Sequence, residues 1–177
     1  VRFHAQSLYG KSEDATDTEN TSVRSRYEQQ LTARTYALGY ADWLTDRIAD
    51  IDYRVTAIVS PGWHLLRSPQ TILSLETGAG HLEEKKQGNR TGYAAGRMAA
   101  SVERLLNAHV LAWSAAEYIP KFADTSVFFI NAEAGIVSML ARNLSMKVTV
   151  EDRYDNAPSP GTGKNDLHFS TALSLNF

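Results

Sequence analysis

The stretch D-L-H-F-S-T-A-L-S-L-N-F, Asp166 to Phe177, decides how this chain folds. Counted at period two, Leu167, Phe169, Thr171, Leu173, Leu175 and Phe177 fall on one face, and His168, Ser170, Ala172, Ser174 and Asn176 on the other. That is the spacing of a β-strand with one oily and one polar side. Alternation of this kind suits any half-buried strand, including the last strand of a soluble antiparallel sheet. The bare hydrophobic end favours a different solution. On an open sheet it leaves an edge for unwanted pairing, whereas in a closed barrel the last strand pairs with the first and no edge remains.

Working outward from this strand, the same alternation recurs through the chain. Leu144 to Tyr154 sets Leu144, Met146, Val148 and Val150 against Lys147, Thr149, Glu151 and Arg153. Further strands are expected over Val127 to Leu140, His109 to Tyr118, Gln70 to Leu82, Ile51 to Trp63, Thr35 to Leu44, Thr21 to Thr32 and Val1 to Gly10. Thr91 to Leu106 is read as a strand too, although A-A-G-R-M-A-A-S-V-E-R-L-L is rich in helix formers and would gather Met98, Val102, Leu105 and Leu106 on a helical stripe. The total is about ten strands, an even number, as single-chain outer-membrane barrels have. Their connections are expected to alternate. Lys11 to Asn20, Thr45 to Asp50, Glu83 to Arg90, Pro120 to Thr125 and Asp155 to Asn165 read as long loops, and the turns at Ala33-Arg34, Leu66 to Pro69, Asn107 and Arg142-Asn143 as short. Short turns on one rim and longer loops on the other are the asymmetry of transmembrane barrels. The expected architecture is therefore all-β: one antiparallel up-and-down transmembrane β-barrel domain over residues 1–177, with both termini periplasmic.

Composition is compatible with this. The 177 residues are 43% hydrophobic and 21% charged with a net charge of -2, which indicates neither disorder nor a nucleic-acid surface. Cysteine is absent, so disulfides and thiolate chemistry are excluded. No apolar run reaches the roughly 18 to 20 residues of a membrane helix. A barrel dilutes its hydropathy by alternating lipid-facing and interior residues, so a mean hydropathy of -0.32 does not argue against the membrane. The opening V-R-F-H-A-Q-S-L-Y lacks the basic, apolar and small-residue succession of a signal peptide, and any such segment is expected to have been removed.

A strand that ends on Phe177 with Leu173 and Leu175 before it resembles the C-terminal signal by which Gram-negative assembly machinery recognises outer-membrane barrels. Four longer stretches carry a family resemblance: D-R-I-A-D-I-D-Y-R-V (Asp46 to Val55), L-S-L-E-T-G-A-G (Leu73 to Gly80), A-E-Y-I-P (Ala116 to Pro120) and, most specifically, V-E-D-R-Y-D-N-A-P-S-P-G-T-G-K-N-D (Val150 to Asp166). They resemble the family of salt-induced outer membrane proteins, a domain of unknown function from Gram-negative envelopes. The resemblance implies an outer-membrane address, contact with lipid and lipopolysaccharide, and passage through the barrel-assembly machinery. It implies no catalytic residues. Members usually begin with a further hairpin bearing a G-N-T-like turn, which these residues do not contain, so either the chain lacks it or the stretch is part of a longer protein.

With the apolar faces toward lipid, the opposite faces form an ionic lumen: Arg24, Arg26, Glu28, Asp52, Arg54, Glu76, Arg97, Glu103, Glu117, Glu133, Lys147, Glu151 and Arg153. An exposed Arg or Lys at the bilayer midplane costs roughly 2 to 4 kcal/mol, so this sorting follows from solvation alone. A barrel of about ten strands is little wider than one that its own side chains fill, and mutual neutralisation across the lumen is the expected outcome. A narrow pore for small ions or solutes is the alternative. A soluble lipocalin-like barrel, with the apolar face inward, is another. Catalysis finds little support: His81, Glu83, Asp46, Asp152 and Asp155 sit near one rim, but no triad order, paired-His spacing or phosphate loop accompanies them. His4, His64, His109 and His168 read as isolated strand-surface residues. Glu13, Asp14, Asp17 and Glu19 lack the spacing of a calcium loop, and neither a metal nor a cofactor is expected. Tyr9, Tyr27, Tyr36, Trp43, Trp63, Tyr118, Tyr154 and Phe177 read as interfacial girdles.

Overall fold

A computed structural model of the chain describes residues 2–12, 15–47, 50–158 and 163–175, with side chains from Thr21 onward. Its elements are all strands: β1 (Arg2–Ser12), β2 (Ala15–Gln30), β3 (Thr35–Asp46), β4 (Ile51–Arg67), β5 (Thr71–Lys86), β6 (Asn89–Asn107), β7 (Val110–Lys121), β8 (Asp124–Ala141), β9 (Leu144–Asp155) and β10 (Asn165–Leu175). They form one ten-stranded sheet in sequence order. Each strand pairs antiparallel with the next, from Arg2 opposite Arg26 at one end to Leu175 opposite Leu144 at the other. Phe177 and the loop residues Glu13 and Asp14 lie outside the described residues.

The helix-forming stretch inside β6 is extended over its whole length, paired with β5 from Asn89 to Arg104 and with β7 from Ala95 to Asn107. Two neighbouring strands supply more than local propensity can oppose. The connections differ from the expected rhythm. Residues placed in the loops at Lys11 to Asn20, Glu83 to Arg90 and Pro120 to Thr125 continue the ladders as strand, so that β5 turns into β6 at Gln87-Gly88 alone. Both turn residues take positive φ, 51° and 76°, the left-handed pair that a two-residue hairpin needs. Among the described connections only that between β9 and β10, residues 156–164, is long. Polar side chains at a strand end satisfy solvent as well as a loop does, and hydrogen bonding keeps the backbone extended.

The sheet is curled. Alternate residues of β2 to β9 point to a concave side, where side chains from strands far apart in the order meet: Arg26 of β2 bonds Glu76 of β5, and Arg54 of β4 reaches Asp155 at the end of β9. On this side Tyr40, Ile58, Leu82, Ala95, Ile119 and Phe129 pack into an apolar cluster, with Tyr93 against it. Gly62 permits part of this closure, because a Cβ there would strike the ring of Tyr36. The convex side carries the oil that has no partner in the chain: Val23, Val55, Val59, Leu75, Met98, Ile130, Ile136, Val150, Leu167, Phe169 and Leu173 are all exposed. Tyr27 and Trp63 lie on it near the end carrying the 31–34 and 68–70 turns. Trp43 lies toward the opposite end, as do Tyr118, Phe128 and Tyr154, whose rings lie 5.3 and 5.9 Å apart in succession. Tyr36 departs from the expected girdle. It is 2% exposed on the concave side and stacks on His64 at 4.8 Å, which also removes that histidine from the outer surface.

Burial of this cluster should be visible in stability. Leu82→Ala is expected to cost about 2 to 5 kcal/mol in urea unfolding, and Val59→Ala, on the convex side where no cavity is left behind, should cost less.

Candidate functional site

The concave side is ordered along its length by residue chemistry. At the end bearing the 156–164 loop, Arg54 bonds Glu84 at 2.8 Å and Asp155 at 3.4 Å, and Lys86 also approaches Asp155 at 3.5 Å. The Arg54 guanidinium lies 4.1 Å above the ring of Phe129, which begins the apolar cluster. On the far side of that cluster Arg24 and Arg97 approach the face of Tyr40, at 5.5 and 5.6 Å. A second ionic zone follows, nearer the short turns.

Glu76 is the centre of that zone. Its carboxylate accepts from Arg26 at 2.5 Å, from Arg97 at 2.6 Å and from the Tyr36 hydroxyl at 2.7 Å, which joins β2, β3, β5 and β6. Arg97 turns its Nε to Glu117 at 2.7 Å, and the other oxygen of Glu117 accepts from Asn131 at 2.8 Å. Glu76 and Arg97 are each 6% exposed at the side chain, so neither would be tolerated singly. Arg24 donates through Nε to Asp42 at 3.1 Å, and Arg153 pairs with Glu151 at 2.9 Å. Lys147 lies 5.0 Å from the Trp113 ring. Here the strands also leave space. Ala99, Ser101 and Ala115 are too short to reach across, and a cavity of about 170 Å³ remains among Arg24, Arg26, Glu76, Arg97, Glu117, Glu133 and Glu151.

The structure therefore gathers Arg24, Arg26, Glu76, Arg97, Glu117, Glu133 and Glu151 around one cavity, with Glu28 on Arg26 at its outer margin and Arg153 on Glu151. Arg54 stands apart, in the zone beyond the apolar cluster. Asp52 does not join either zone. The ladder slips between Ile51 and Tyr53, which brings Ile51 into the interior and leaves Asp52 about half exposed beside Lys85 at 3.1 Å. Glu103 is exposed at the end of β6.

The residues singled out for catalysis do not converge. Glu83 bonds Arg90 and the Tyr53 hydroxyl on the convex side. Asp155 serves Arg54 and Lys86 instead. His168 is close to Asp166, at 2.8 Å, and His64 to Ser74, at 2.9 Å. Among the described residues no group of His, Asp or Glu is placed to hold a metal ion.

Several participants escaped sequence reasoning: Tyr36, Asp42, Glu84, Lys86 and Asn131. Asp42 offered a signal, since it shares parity with Tyr36, Leu38 and Tyr40. An acid in line with an apolar face marks a face that enters the protein, where a partner waits.

Residues 1–177 match the family described as "Protein of unknown function, DUF481". No curated protein matches the chain. Among solved structures, the fold is similar to that titled "NanC porin structure in rhombohedral crystal form", with a TM-score of 0.59 over 99% of this chain and 93% of that one. Identity is 8%, so the likeness concerns the fold alone.

Glu76→Gln would leave Arg26 and Arg97 without their shared counter-charge. Loss of about 3 to 5 kcal/mol is expected in urea unfolding, the usual scale for removing one partner of a buried pair. Arg90→Gln, whose pair with Glu83 is on the surface, should leave the midpoint nearly unchanged.

Proposed function

The chain belongs to the DUF481 family of proteins of unknown function, and from that premise we propose that it is a non-enzymatic outer-membrane β-barrel whose lumen is blocked by its own side chains. The observation that carries this reading is the succession on the concave side: an ionic zone around Arg54, the apolar cluster around Leu82 and Phe129, and a second ionic zone around Glu76. In this reading β10 closes on β1, the convex oil faces lipid, and the aromatic residues toward each end sit at the two headgroup levels. The termini and the short turns are periplasmic, and the 156–164 loop is external. Leu173 and Leu175, with Phe177, serve as the assembly signal, and lipid and lipopolysaccharide are the surroundings.

The physical support is solvation. Exposed Phe169 and Leu173, 73% and 68% accessible, have no cover within the described residues and would be costly in water over so wide a surface. The same placement weighs against a lipocalin-like barrel, which would turn that face inward. Pairing of the interior charges supports a structural lumen over a catalytic one, because the carboxylates and guanidiniums are mostly committed to each other. A place in the response to salt or osmotic stress rests on the family resemblance alone. The second reading, a narrow pore, is favoured by the likeness to a porin fold and by the cavity beside Glu133.

Two measurements separate these readings. Fractionation of the expressed protein should give an outer-membrane band whose gel mobility shifts on boiling in detergent. A soluble, unshifted protein would refute the barrel. In planar bilayers the wild-type protein should show no unitary current step. Reproducible steps altered by Arg54→Glu or Glu133→Lys would replace the blocked lumen with the pore.

A further inference from the structure

The cavity is more than a gap between ion pairs, because the groups around it are unequally satisfied. Arg26, Arg97, Glu76 and Glu117 are paired with one another, with Tyr36 and with Asn131. Glu151 has Arg153. Glu133 has no hydrogen bond or ion pair among the described residues. It is directly opposite Glu151 in the β8–β9 ladder, a pairing of like charges that favours a cation nearby. Neither Arg24, which bonds Asp42, nor Lys147, whose Nζ lies 5.0 Å from the Trp113 ring, is ion-paired with Glu133 among the described residues. Arg24 shows the opposite deficit. Among the described residues its one hydrogen bond runs from Nε to Asp42, so neither terminal nitrogen has a partner there, and the side chain lines the cavity.

One cavity thus presents an open acceptor and an open double donor, held apart by fixed neighbours. We infer that this cavity is a binding site for a small zwitterion, with an ammonium on Glu133 and a carboxylate on the terminal nitrogens of Arg24. A guanidinium fork matches a carboxylate in two parallel hydrogen bonds, and an ammonium supplies the donors that a lone carboxylate lacks. Size is consistent with this. A cavity of about 150 Å³ holds a molecule as large as benzene, so the about 170 Å³ here suits a solute of similar bulk. The ligand also completes the local charge pattern without adding net charge, which a simple cation or anion would do. The inference rests on the concave side being an enclosed lumen, as proposed above.

The test uses the full chain, folded in detergent, with β-alanine, propylamine and propionate as probes in saturation-transfer NMR. β-Alanine should saturate and bind at least tenfold tighter than either single-charge analogue. Glu133→Gln and Arg24→Gln should each weaken it at least tenfold. No saturation by β-alanine, or equal binding by propylamine or propionate, would overturn the zwitterion site on wild-type protein alone, whatever the variants do. Binding of β-alanine unchanged by Glu133→Gln would overturn it as well. Heat-dependent gel mobility, recorded on the same samples, reports the barrel independently. A shifted band without binding sinks only this site, and an unshifted band sinks the barrel from which it is argued.

Discussion

A carboxylate shared by two guanidiniums and a phenol, that of Glu76, is the interaction on which the interior depends. Its partners come from β2, β3 and β6, so it can be satisfied only when the sheet is curled enough to bring those strands around it. The charge is almost wholly removed from water, and an unpaired carboxylate there would be prohibitive. Curvature and charge pairing are in this way one condition. Arg97 extends the same chain of bonds to Glu117 and Asn131, so that β7 and β8 are tied to it as well.

The apolar cluster answers a different requirement. Charges that cross the interior order the sheet but contribute little net stability against a hydrophobic equivalent. Tyr40, Ile58, Leu82, Ile119 and Phe129 provide the burial that the ionic zones do not, and they separate the two zones from each other. Arginines on both sides lie against its aromatic faces: Arg54 on Phe129, and Arg24 and Arg97 toward Tyr40. The cluster is therefore anchored by charge at each boundary. A cavity remains where β6 and β7 carry Ala99, Ser101 and Ala115, and Glu133 and Arg24 line it.

Period-two alternation made most strand faces legible: Leu167, Phe169 and Leu173 are convex, and Arg24, Arg54 and Glu133 concave, as their spacing implied. It was least informative in β3, where both faces contain apolar residues. Tyr36 was read there as an interfacial ring although its hydroxyl belongs to Glu76. Asp52 was misplaced because a single ladder slip reverses the side on which a residue emerges, and nothing in the local composition announces it. Loop lengths failed for a related reason. Charged and polar residues end a hydrophobic pattern without ending the hydrogen-bonded ladder, so β5 and β6 run on through Glu83 to Arg90.

The sequence by itself determined that the chain is a run of antiparallel strands, each with an oily and a polar face, because side chains of an extended backbone alternate whatever surrounds them. It also determined that most of the charges in mid-strand would share one side, Asp52 and the Glu83–Arg90 pair excepted. Only the tertiary structure decided which charge meets which. Arg26 finds Glu76 fifty positions away and Arg54 finds Asp155 across one hundred and one, distances at which local pattern carries no information. Which groups are left over was decided there too. Curl and register set Glu133 and Arg24 around one cavity, and a site defined by what remains unpaired exists only after every other pair has formed.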